Sequence, residues 1–119
     1  MVLAVGEALF GRVPGPLARA SSPFGGGVGG SLDEMCGLLS GGVLLIGALL
    51  GRELPDRPDE EAKRLAVLWR QRFLAEYGAT CCRTLRDALP DVPHRCQPLV
   101  RRATALLRDL LVEEGRLDP

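Results

Sequence analysis

The sequence predicts an all-α protein, a small single-domain bundle of five or six helices around a buried, glycine-rich central helix. Three observations carry this reading. Several stretches repeat apolar residues at helical spacing, none alternates as a strand would, and glycine and proline punctuate the chain at helix-length intervals. A chain of 119 residues is enough for one domain with one core.

The elements follow in order. Residues 1–22 are expected to form an N-terminal helical segment, with Val2 to Phe10 as one short apolar helix and Pro14 and Pro16 breaking it. Between residues 25 and 30 five of six positions are glycine, a density that no regular element survives. Ser31 and Glu34 have the spacing of a capping box, which predicts a central helix over 31–51 that is apolar nearly all round. A helix over 58–77 is expected next, with Pro58 and acidic residues at its start. Leu65, Trp69, Phe73 and Tyr77 recur every four residues and give it one aromatic stripe. Gly78 ends it, and Thr80 is the expected N-cap of a short helix over 80–88. The last helix, over 94–114, carries Leu99, Ala103, Leu106, Leu107, Leu110 and Leu111 on one face.

Composition narrows the function classes. Acidic and basic residues balance at 15 each, which argues against a nucleic-acid partner. The uncharged run from Met35 to Gly51 is short of the roughly 20 residues a membrane span needs. Its glycines fit a closely packed buried helix better, so no membrane association is expected. The N-terminus has no basic region and Glu7 interrupts its apolar run, so no signal peptide is expected. A cytoplasmic location follows as the expectation, with cysteines reduced at rest.

Those cysteines are the chemistry-bearing residues. Cys36, Cys82 and Cys96 each fall where a helix is predicted to begin. A thiol in a first helical turn feels the positive end of the dipole, which favours the thiolate that attacks disulfides and binds metals. The plainer alternative is that each is a small buried apolar residue, which suits Cys96 in register with its helix's apolar face. There is no C-x-x-C pair. Cys81 and Cys82 are adjacent and point about 100° apart on a helix, so at most one is expected to face the other thiols. His94 is the single histidine; it is read as a solvated or capping residue, with metal ligation or a base role as the alternatives. The glycine loop lacks the lysine of a phosphate loop and is read as a tight turn that lets the backbone pack near Cys36.

Phe24-Gly25-Gly26-Gly27-Val28-Gly29, Met35-Cys36-Gly37-Leu38-Leu39-Ser40-Gly41-Gly42, Gly78-Ala79-Thr80-Cys81-Cys82-Arg83-Thr84-Leu85 and the later Cys96 together resemble the C_GCAxxG_C_C family of redox-active proteins. The resemblance covers nearly all the chain from Phe24 onward. Three departures stand out. No match to the family's N-terminal cysteine is found, as though the chain began after it; Gly41 lies one position later than the strict motif; and Cys81 is extra. The resemblance implies an all-helical fold whose cysteines converge near helix ends.

Three functions compete at this point. The first is a thiol redox protein in which two of Cys36, Cys82 and Cys96 cycle between dithiol and disulfide, with an unknown redox partner. The second is a metal or iron–sulfur protein using those three thiolates, with Cys81, His94 or a second subunit's ligand as the fourth. The third is an interaction module, a helical homodimer whose thiol chemistry has decayed.

Overall fold

The computed structural model describes all residues, 1–119, and contains six α-helices. They are α1 (Val2–Phe10), α2 (Gly15–Ser21), α3 (Gly37–Leu50), α4 (Glu60–Tyr77), α5 (Cys82–Asp87) and α6 (Gln97–Glu113). The all-α expectation holds, and no helix is long and apolar enough to cross a membrane.

Helix α3 is the hub, packing on α1, α2, α4 and α6. Its apolar character all round follows from those neighbours. The stripe on α4 fills the centre: Leu65, Trp69 and Phe73 are fully buried. Burying such side chains contributes about 2–3 kcal/mol each. Trp69 and Phe73 meet edge to face with centroids 5.8 Å apart, and Phe73 and Tyr77 follow at 4.7 Å. The two polar ends of the stripe are satisfied. Trp69 Nε1 donates to the Leu39 carbonyl at 3.1 Å, and the Tyr77 hydroxyl donates to that of Leu99 at 3.4 Å. Gly42 makes the first of these possible, since a Cβ there would run into the indole Nε1 of Trp69.

On the far side of α4 its charged face meets α6 along most of that helix. Arg64 bridges Glu61 and Glu114, Arg72 reaches Glu113, and Arg102 reaches Glu76, at 2.6–2.8 Å. Hydrogen bonds from Arg64 and Arg116 hold the Glu61 carboxyl down to about 2.

Several predicted boundaries need correction. The central helix starts at Gly37, not at residue 31, and Ser31 does not cap it: its hydroxyl accepts only from the Asp33 N–H, at 3.2 Å. Residues 32–36 stay out of the helix because their backbone groups bond to the distant segment 80–83. Thr80 is likewise not a cap; its carbonyl accepts from Cys36, and α5 begins at Cys82 with Cys81 as its N-cap. Helix α4 begins at Glu60 behind Asp59, leaving Pro58 outside it. Helix α6 begins at Gln97, because His94 adopts φ 56° in the preceding turn.

Candidate thiol site

The site is built on a short antiparallel pairing between residues 32–36 and 80–83. Cys36 N–H donates to the Thr80 carbonyl at 2.7 Å, Cys82 N–H to that of Glu34 at 2.9 Å, and Arg83 N–H to that of Leu32 at 2.8 Å. Met35 and Cys81 stand directly opposite each other. Side chains alternate across such a ladder. Cys36 and Cys82 therefore share its inner face, while Met35 and Cys81 share the outer one.

The pairing is bought with strain. Leu32 and Glu34 sit at φ 64° and 66°, conformations that cost about 1–3 kcal/mol each in non-glycine residues. The glycine loop holds them there. Gly26 accepts from the Leu32 N–H at 2.8 Å, and Val28 donates to Asp33 at 3.2 Å. Gly27 has φ 79°, and a Cβ on it would run into the Asp33 carbonyl. The loop then crosses the start of α3 so closely that a Cβ on Gly37 would lie 2.5 Å from the Phe24 carbonyl oxygen. Close backbone packing near Cys36 is thus what the loop provides.

Cys96 arrives from a third direction as the N-cap of α6. The turn before it is fixed by Arg95, whose guanidinium donates twice to the Leu89 carbonyl at 2.9 and 3.1 Å. Cys36, Cys82 and Cys96 line one cavity of about 260 Å³, together with Arg86, the Gly25–Gly26 backbone and apolar side chains of α3 and α6. Cys36 and Cys82 are buried, and Cys96 keeps partial solvent access. All four cysteines are free thiols.

Burial, not the helix dipole, governs the inner thiols. It pushes Cys36 above the ordinary thiol value; the N–H groups of Leu38 and Leu39 oppose it, and the charge of Cys96 adds to it. Cys82 is also pushed up by burial, then by repulsion from Cys36, Cys96 and Cys81, with Arg86 opposing. The expectation of favoured thiolates at both positions is thereby corrected. The reason is magnitude. A helix terminus supplies about 0.3–1 kcal/mol, less than one pKa unit, whereas burial moves pKa values by up to about 3–5 units.

Cys81 behaves in the opposite way. The N–H of Thr84, then that of Arg83 and the Thr84 hydroxyl, hold its thiol below the ordinary value. Cys81 lies in a separate, wider groove of about 920 Å³ with Met35, Val43 and Val67. In the sequence Cys81 stood out only as an extra cysteine and a candidate fourth metal ligand. Its signal was a threonine three residues on, at the position that faces an N-cap side chain.

The metal reading fits this arrangement poorly. No three His, Cys, Asp or Glu side chains are grouped to hold a metal ion. Neither Cys81 nor His94, the proposed fourth ligands, lines the thiol cavity.

A family model described as "Putative redox-active protein (C_GCAxxG_C_C)" matches residues 1–110 of the chain. No curated protein and no solved structure matches it.

Proposed function

The chain belongs to the C_GCAxxG_C_C family, and from that premise we propose that it works by dithiol–disulfide exchange within the cavity lined by Cys36, Cys82 and Cys96. One observation carries the reading: three thiols from the starts of three helices open onto a single small cavity.

Access assigns the roles. Cys96 has solvent access, so its thiolate is the attacking group. Cys36 and Cys82 are buried, and that burial pushes both thiols above the ordinary value, which suits resolving thiols shielded from outside reagents. A disulfide needs Cα atoms within about 4.4–6.8 Å. The accessible Cys96 is one partner of the bond in this reading, and a buried thiol of the same cavity, Cys36 or Cys82, is the other.

The test is a thiol count with mass mapping on anaerobically reduced protein treated with one equivalent of a small disulfide. The expected product has lost two thiols and links Cys96 to Cys36 or Cys82. Four surviving thiols, or reaction confined to Cys81, would defeat the proposal.

A further inference from the structure

We infer that the thiol cavity accepts a small disulfide bearing a carboxylate, and that Arg86 is the residue that selects for its negative charge. The inference rests on the thiol redox reading above and adds the chemical class of the substrate.

Size is the first argument. At about 260 Å³ the cavity falls below the range of about 300–1,000 Å³ typical of drug-sized ligands, so its occupant is a smaller molecule. Charge is the second. Arg86 is the one charged side chain in the lining. The arginines joining α4 to α6 meet carboxylates of another helix at 2.6–2.8 Å, whereas Arg86 has only its neighbour Asp87, at 3.5 Å. Its guanidinium is thus left with donors for an outside anion, in the planar fork that matches a carboxylate. Placement is the third. Arg86 follows Cys82 by four residues on α5, so the two side chains share one helix face. A carboxylate held by Arg86 puts the attached sulfur among the thiols.

The exchange balances without a further reactant. The Cys96 thiol releases its proton to water, and the thiolate attacks one sulfur of R–S–S–R. A Cys96–S–S–R bond forms and R–S⁻ leaves, taking up a proton. The buried thiol of Cys36 or Cys82, deprotonated in turn, attacks the Cys96 sulfur, forming its bond to Cys96 and releasing the second R–S⁻. The substrate disulfide is reduced by two electrons, and the protein dithiol is oxidised by two.

The deciding experiment uses full-length reduced protein in a Cys81→Ser background, so that the outer thiol does not contribute. Rates of oxidation are followed with three disulfides of similar size: dithiodiglycolate, hydroxyethyl disulfide and cystamine, which are anionic, neutral and cationic. Arg86→Gln is expected to slow the dianion about tenfold, as one charge-assisted contact warrants. It should leave the neutral reagent within about twofold, and Arg86→Lys should restore much of the loss. Comparing each variant with its own parent cancels differences between leaving groups. If Arg86→Gln changes all three rates alike, or none, the substrate class is wrong while the redox reading stands. If no reagent forms a disulfide within the cavity of the parent protein, the redox reading fails and the inference falls with it.

Discussion

Cys81 and Cys82 are joined by one peptide bond, yet they occupy opposite faces of the same short ladder and answer to opposite physics. The inner face carries Cys36 and Cys82 into a narrow cavity, where lost hydration raises both thiols. The outer face leaves Cys81 in an open groove, where the Thr84 and Arg83 N–H groups lower it. The same kind of helix terminus stands behind both faces. The difference teaches that burial outweighs the N–H groups of a helix terminus at the inner thiols, whereas those groups prevail at the open Cys81.

The largest effect is expected from breaking the inner face. In Gly37→Ala the new Cβ meets the Phe24 carbonyl, which is backbone and cannot rotate aside. Overpacking of this kind costs about 1–3 kcal/mol, against up to about 1 kcal/mol gained in helix propensity. Urea unfolding should show a net loss of about 1–2 kcal/mol, and alkylation of Cys36 should speed up as the loop lifts. Unchanged stability would mean that the loop does not press on α3.

The next test separates the faces by pH. A thiol whose pKa is raised on folding contributes stability that is complete below its unfolded value and is lost as pH rises through the folded one. A thiol whose pKa is lowered contributes stability present above the unfolded value and lost as pH falls through the folded one. Cys36→Ala should therefore cost less stability at pH 10 than at pH 7, and Cys81→Ser should cost more at pH 10 than at pH 7. Chemical denaturation of each variant at both pH values reads this directly, and slopes of the same sign would refute the division. Mass-resolved alkylation near pH 8 should also modify Cys81 well ahead of Cys36 and Cys82.

The smallest effect sharpens the outer face alone. Thr84→Val removes the hydroxyl that faces Cys81 and keeps the N–H, which is the larger influence. The pH midpoint for Cys81 alkylation should rise slightly, with a rate loss of a few-fold at most near pH 8 and no change at Cys36. A large change, or one shared by the inner thiols, would show that Thr84 acts through the fold instead of on the sulfur.

Much of this was legible in the residues. The period-four stripe of Leu65, Trp69, Phe73 and Tyr77 gave α4 and its buried side. The apolar face of α6 and the short helix α1 were equally plain. The placing of Cys36, Cys82 and Cys96 at helix starts was also readable, because turn signals precede each of them. The capping box at Ser31 and Glu34 misled, since a local spacing rule cannot see a partner segment some fifty residues away. Local pattern was enough for the helices because a helix closes its hydrogen bonds within four residues.

What the sequence by itself determined, then, is the set of helices, their buried faces and the presence of thiols at their ends. Tertiary structure decided the rest. Pairing residues 32–36 with 80–83 chose which thiol of the Cys81–Cys82 pair turns inward, and the glycine loop and α6 closed a cavity around it. Closure also decided the sign of each thiol's shift. Desolvation depends on which groups cover a sulfur, and those groups come from distant parts of the chain that no local spacing records.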